Sequence, residues 1–251
     1  MSYRLTRLDS ALNPVGEVAR LVSADVSRDI TGTSPLIESA TFEIDGDFIP
    51  GWHRLEWRDA SLHLLGVFRV EADSATWEKG HQTVKAKGYS VLKPAEESAL
   101  ESGACARAGI DGAAYVRQLL SVCPGRVVAH GSAALSRNVV FDSGSTRLKA
   151  AWDVLDAMGW RLRVDGDGTV NVEPLPDALA LDLSDLRLQD GIGLGAEYDY
   201  SREFIGDMFP GDLVRLSVPQ AGIDETLRVL TQDIACGNGC EVSETIGEWG
   251  R

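Results

Sequence analysis

A period of two constrains this chain more than any other feature. Ala40, Phe42 and Ile44 alternate with Thr41, Glu43 and Asp45. Leu55 and Trp57 alternate with Arg54, Glu56 and Arg58, and Val84 and Ala86 with Thr83, Lys85 and Lys87. Successive side chains of a strand point to opposite faces, so these runs call for sheets with one buried and one wet face. Leu62, Leu64, Gly66, Phe68 and Val70 read as one face of a long strand. Asp45-Gly46, Pro50-Gly51, Asp59-Ala60-Ser61 and Lys79-Gly80 cut the runs at hairpin distances. Short alternating runs at such spacing predict an antiparallel sandwich or barrel over residues 1–90.

The middle of the chain changes period. Asp111 is placed to cap a helix through Ala113, Tyr115, Val116, Leu119 and Leu120, with Pro124-Gly125 to end it. Leu148, Ala151, Trp152, Leu155 and Met158 recur at spacings of three and four, the stripe of an amphipathic helix. Ser145 or Thr146 caps that helix and Gly159 stops it. Trp160 to Val164 and Thr169 to Val172 then read as a β-hairpin around Asp165-Gly166-Asp167-Gly168. The paired prolines Pro174 and Pro176 mark a boundary. Beyond it Val214, Leu216 and Val218, and then Leu230, Gln232 and Ile234, return to strand alternation. The fold class expected is α+β, mainly β: two β-barrel or sandwich modules, 1–90 and 177–251, around a helix-containing α+β middle domain, 91–176.

Charge narrows the function. With 38 acidic against 24 basic side chains the formal net charge is −14 over 251 residues. Affinity for nucleic acid is built on Lys and Arg neutralising phosphates, so a nucleic-acid binder is excluded, and docking on anionic membranes with it. The most apolar window, Leu62 to Val70, contains His63 and Arg69 and is far short of a membrane span. Arg4, Arg7 and Asp9 leave the N-terminus without an apolar signal segment, so synthesis in the cytoplasm is expected.

The chemical motifs are weak. Four cysteines are too few for a disulfide scaffold. Cys236 and Cys240, in Cys-Gly-Asn-Gly-Cys, read as two free thiols in a glycine turn, with a bridge or a metal half-site as the alternatives; no further ligands lie near in sequence. Asp165-Gly-Asp-Gly168 looks like a calcium loop, but its twelfth position is Pro176 rather than Glu, so a plain hairpin turn is expected. Asp190-Gly-Ile-Gly-Leu-Gly195 lacks the strand, helix and lysine of a nucleotide loop and is read as a connector. His53, His63, His81 and His130 are scattered, and a Cys123–His130 nucleophile and base has no orienting context. No catalytic, cofactor-binding or metal residue is therefore assigned.

Five segments in this order resemble the tail-associated or baseplate-hub proteins of tailed bacteriophages and prophage-derived tail machines. They are Ile30-Thr-Gly-Thr-Ser-Pro-Leu-Ile-Glu-Ser-Ala-Thr-Phe-Glu-Ile-Asp45, Gly51-Trp-His-Arg-Leu55, Gly88-Tyr-Ser-Val-Leu-Lys-Pro-Ala95, Val140 through Trp160, and Pro210-Gly-Asp-Leu-Val-Arg-Leu216. The resemblance implies a structural virion protein rather than an enzyme. It would be a homotrimer at the distal end of the tail tube, with two tube-like β modules per subunit ringing the DNA channel and adapting the tube to the tip. Implied partners are the distal tail or tail tube protein, the tape measure protein and tip or fibre proteins. The implied location is the virion tail tip or baseplate, after assembly in the host bacterial cytoplasm. Many relatives carry a long C-terminal extension with fibre or wall-degrading modules; a chain stopping at Arg251 is expected to leave those tasks to other proteins. The charge then acquires a mechanism, because a channel lined with Asp and Glu repels the phosphate backbone and lets DNA slide through unbound.

Two alternatives stand beside this reading. One is a tip-associated cell-wall hydrolase using acids such as Glu197 and Asp199. The other is a carbohydrate-binding β module, for which Trp52, Trp57, Trp77, Trp152, Trp160 and Trp249 would supply stacking platforms.

Overall fold

A computed structural model describes residues 2–18, 20–31, 35–78, 80–183, 197–203, 208–219, 222–237 and 240–249. The first ninety residues form β1 (Ser2–Leu8), β2 (Pro14–Glu17), β3 (Leu21–Asp29), β4 (Glu38–Asp45), β5 (Gly51–Arg58), β6 (Leu62–Glu78) and β7 (His81–Ser90). They pair antiparallel in the order β3-β4-β7-β6-β5-β1-β2. The alternation is realised on β4 and β7 but not on β5, where Glu56 is buried between Leu55 and Trp57 and accepts from Arg4 and Arg54. Ala40, Phe42 and Ile44 are buried against exposed Thr41, and Val84 and Ala86 against exposed Lys85 and Lys87.

Strand β6 departs from its expected single face. The register shifts between Leu55 and Glu56, leaving Leu65 as an extra residue. A bulge of this kind transposes every side chain on one side of it. Leu62 is consequently exposed, while Leu65, Val67 and Phe68 are all fully buried. Leu65, Phe68 and Val70 enter a core that the N-terminal strands share with Ile234, Cys236, Cys240 and Val242 near the C-terminal end, and Val67 enters a second core with the middle region. The Phe68 ring lies over two glycines. A Cβ on Gly66 would fall 2.5 Å from that ring, and one on Gly88 2.8 Å from Phe42.

The middle region comprises α1 (Lys93–Glu97), β8 (Cys105–Ala106), α2 (Gly112–Leu119), β9 (Val127–Ala129), β10 (Val139–Val140), α3 (Arg147–Met158), β11 (Trp160–Val164) and β12 (Val170–Pro174). Asp111 Oδ1 caps α2 by accepting from the Ala113 and Ala114 amides at 3.1 and 3.3 Å. Thr146, rather than Ser145, caps α3 by accepting from Lys149 N at 3.2 Å, and Gly159 ends it in the left-handed region at φ 68°. The short helix α1 and strand β9, which pairs parallel to β12, escape the sequence reading. The 165–168 segment is a hairpin turn, with Asp165 N donating to Thr169 O and Gly168 N to Asp165 O. It sits against the β6 bulge so closely that a Cβ on Gly166 would fall 1.8 Å from the Leu64 carbonyl oxygen.

The last third contributes β13 (Leu179–Asp182), β14 (Glu197–Glu203), β15 (Leu213–Val218), β16 (Ile223–Cys236) and β17 (Cys240–Gly247). The segment 190–195 lies outside the described residues. Strand β16 is a branch point. One edge pairs with β15 over residues 223–228 and then with β3 over 231–236; the other edge pairs with β17, which carries β14. The β3–β16 ladder fuses both ends of the chain into one sheet, twelve-stranded among the described residues. The mainly-β α+β class is thus realised as an open, shared sheet, with no closed barrel among the described residues.

Candidate functional site

The register defines what the shared sheet presents to solvent. One rung runs across β14, β17, β16, β3 and β4 through Ser201, Ser243, Asp233, Ser27 and Ser39. The next runs from β17 through Glu241, Ala235, Asp25 and Thr41 to Lys87 on β7 and Glu71 on β6. All but half-buried Ser201 are exposed. The face is therefore made of short hydroxyls and acids, and its two lysines, Lys85 and Lys87, both lie on β7. Side-chain bonds link neighbouring strands across it: Ser201 Oγ to Ser243 Oγ at 3.0 Å, Thr245 Oγ1 donating to Asp199 Oδ1 at 2.6 Å, and Lys87 Nζ donating to Asp73 Oδ1 at 3.0 Å.

Beneath that face runs a buried polar rung that carries the fusion. Tyr200, Glu244, Gln232, Arg28 and Glu38 occupy successive strands from β14 to β4. The Tyr200 hydroxyl donates to Glu244 Oε2, Gln232 Nε2 donates to Glu244 Oε1 at 2.6 Å, and Arg28 Nη1 donates to Gln232 Oε1 at 2.8 Å. Arg202 closes on Glu244 with Nε at 3.0 Å and Nη2 at 2.8 Å. Arg28 Nη2 also donates to the bulge carbonyl of Leu65 at 2.8 Å. All of these side chains are buried, where an unpaired polar group costs about 1–3 kcal/mol and more when charged. The chain end of the rung is less well served. Glu38 Oε2 faces Arg28 Nε at 3.6 Å and Glu38 Oε1 has no hydrogen-bond partner among the described residues. Burial pushes the Glu38 carboxyl up to about 7, against the opposing pull of Arg28.

The middle region is clamped to the same place. Arg161 on β11 donates to Pro210 O, to Asp212 Oδ1 and, through Nη2, to Glu173 Oε1, each at 2.8 Å. Burial raises the Glu173 pKa, but Arg161 and Arg163 outweigh it and hold the group below the usual carboxylate range. The guanidinium groups of Arg28, at 4.7 Å, and Arg163, at 5.1 Å, both lie over the Phe209 ring, cation–π contacts joining β3, β11 and the turn before β15. Gly211 in that turn has φ 94°, and a Cβ there would fall 2.6 Å from Arg161 Nη1.

The residues singled out for chemistry do not converge. Cys123 is buried in the middle-region core, with burial pushing its thiol up to about 11, while His130 Nε2 pairs with Asn171 Oδ1 at 2.7 Å. His53 is fully buried and burial lowers its pKa; its Nδ1 faces the Gly51 carbonyl at 3.0 Å. His63 stacks on Trp57. Glu197 and Asp199 are exposed on the wet side of β14. Among the tryptophans only Trp77 is exposed; Trp57 and Trp152 are core residues, and Trp152 Nε1 donates to Pro35 O at 2.9 Å. Cys236 and Cys240 are free thiols and face one another in register. Among the described residues no group of three or more His, Cys, Asp or Glu is arranged to hold a metal ion, and no helix is long and apolar enough to cross a membrane.

An open sheet shared by both chain ends, with a helix-and-hairpin insertion clamped across the fusion, has close counterparts among solved structures. A tail protein from Neisseria meningitidis superposes with a TM-score of 0.73 at 12% identity, covering 99% of this chain and 97% of that one. The fold is that of phage tail proteins. The 43 kDa tail protein of prophage MuSo2 from Shewanella oneidensis matches with a TM-score of 0.69 at 10% identity, over 99% and 98% of the two chains. A type VI secretion system component of E. coli, described as structurally similar to bacteriophage T4 tail proteins gp27 and gp5, matches with a TM-score of 0.54 at 8% identity, over 92% and 74%. No family model matches the chain and no curated protein matches its sequence. The tail-protein fold thus persists where sequence similarity has all but gone.

Proposed function

We propose that this chain is a structural protein of a phage-type tail, a hub subunit at the distal end of the tail tube that acts by packing and edge pairing rather than by catalysis. Three copies form a ring around the DNA channel and adapt the tube to the tip. In each copy residues 1–90 and 177–251 serve as the two β modules, with 91–176 as the insertion between them. The shared face of Asp25, Asp233, Glu241 and their Ser and Thr neighbours lines the bore, where DNA passes without being held. Its neighbours are the distal tail or tube protein, the tape measure protein and tip or fibre proteins.

One observation supports this reading above the rest: the β3–β16 fusion makes one continuous polar face out of strands from both ends of the chain. A wall of short acids and hydroxyls suits a bore, because long cations would trap phosphates through counterion release. Open strand edges, such as fully exposed β2, suit assembly by edge pairing. Native mass spectrometry of the purified chain, followed by addition of its tube partner, tests the assembly. Trimers supporting tube attachment uphold it; a chain that stays monomeric both alone and with the partner overturns it.

A further inference from the structure

We propose that Cys236 and Cys240 are a reversible oxidation site, a cross-strand dithiol that closes to a disulfide on meeting an oxidised low-molecular-weight thiol such as oxidised glutathione. The two residues are direct register partners at the end of the β16–β17 ladder. Both are free and both are buried, in one core cluster with Ile234, Val242 and, packed against it, Tyr3 of β1. Directly opposed residues of neighbouring strands hold their Cβ atoms about 4.5–5.5 Å apart, and a disulfide needs roughly 3.5–4.5 Å, so closure asks for a shift of about 1 Å.

The thiols are also chemically unequal. Cys240 is the less deeply buried, 9% exposed against 3% for Cys236, and the nearby Arg202 charge favours its thiolate while burial disfavours a charge on either sulfur. As the more accessible of the two, Cys240 attacks first and Cys236 resolves. Cys240 sulfur attacks one sulfur of the small disulfide, breaking its S–S bond and expelling one thiolate, which takes the proton Cys240 had lost. Cys236 then attacks the Cys240 sulfur of the mixed disulfide; its proton passes to the second departing thiolate. Two protein thiols are oxidised and one small disulfide is reduced to two thiols.

The bond would pin the hairpin that carries β14 on one side and β3 on the other, so oxidation stiffens the fusion of the two chain ends. The chemistry is independent of the tail reading. The exposed Cys105 would confuse the assay, so the test uses the full chain with Cys105→Ser. Native protein is equilibrated with reduced and oxidised glutathione, quenched by alkylation in denaturant and mapped by mass spectrometry. The expected result is a peptide pair joined through Cys236 and Cys240 at the oxidising end, reversed by reductant, with the melting midpoint raised by about 5 °C. In Cys236→Ser or, should that variant not fold, Cys236→Ala, a stable glutathione adduct on Cys240 is expected because no resolving thiol remains. The proposal is overturned if both thiols stay fully alkylated at the oxidising end, or if the Cys240 adduct accumulates unresolved while Cys236 is present.

Discussion

Arg28 Nη1 donates a 2.8 Å hydrogen bond to Gln232 Oε1, joining two residues 204 positions apart across the β3–β16 ladder. Both side chains are buried, and Arg28 also holds the Leu65 carbonyl and faces Glu38. Removing the guanidinium strands a buried carboxyl and two acceptors. Arg28→Met is expected to lower the unfolding free energy by about 3–5 kcal/mol in denaturant titration, and Arg28→Met with Glu38→Leu to recover a large part of it, since replacing both partners of a buried pair by apolar groups is far milder than orphaning one. A double variant no more stable than the single would contradict this assignment.

Glu38 makes the fusion sensitive to pH in a defined direction. Its pKa rises from 4.5 to about 7 on folding because burial disfavours the charge. The folded state therefore holds the proton more tightly than the unfolded chain. The contribution is greatest below about pH 4.5 and is lost as pH climbs through about 7, worth up to about 3 kcal/mol. Denaturation midpoints at pH 5 and pH 8 should show this loss as a difference between the natural chain and Glu38→Gln, which has no proton to release there. Identical pH slopes for the two proteins would refute it.

Gly166 is where the middle hairpin meets the β6 bulge, and no side chain fits there. Gly166→Ala is expected to cost more than about 2 kcal/mol, because the Leu64 carbonyl is backbone and cannot swing away. Gly144→Ala is the control: its Cβ meets nothing within 4 Å, so it pays only for φ 84°, about 1 kcal/mol. Equal losses in thermal melts would remove the docking argument.

These examples also separate what could be read from the sequence and what could not. Alternation through Ala40 to Asp45, the Thr146–Gly159 helix and the 165–168 turn are local, and each was legible from a few residues. The bulges at Leu65 and Leu230 were not, because one inserted residue leaves composition unchanged while transposing everything beyond it. The β3–β16 fusion was hidden for a different reason. Its specifying residues, Arg28, Glu38, Gln232 and Glu244, are polar, yet all four are buried, with Arg28, Gln232 and Glu244 hydrogen-bonded in series and Glu38 facing Arg28. Which residues share the wet face with Asp25, Asp233 and Glu241 was not legible either, because that needed the register between strands distant in sequence.

The wet face itself should be dispensable for folding and decisive for DNA. Asp25 and Asp233 are exposed, so Asp25→Lys with Asp233→Lys is expected to change stability by no more than about 0.5 kcal/mol each. The same pair should confer salt-dependent DNA affinity that the natural chain lacks, read by fluorescence anisotropy over a salt series. DNA binding unchanged by the reversal would detach this face from any bore.

The most direct test of the central claim is electron cryomicroscopy of the chain in its assembled tail. Three copies around the channel are expected, with Asp25, Asp233 and Glu241 turned toward the axis. A ring that turns this face outward, or places the chain away from the channel, would contradict it.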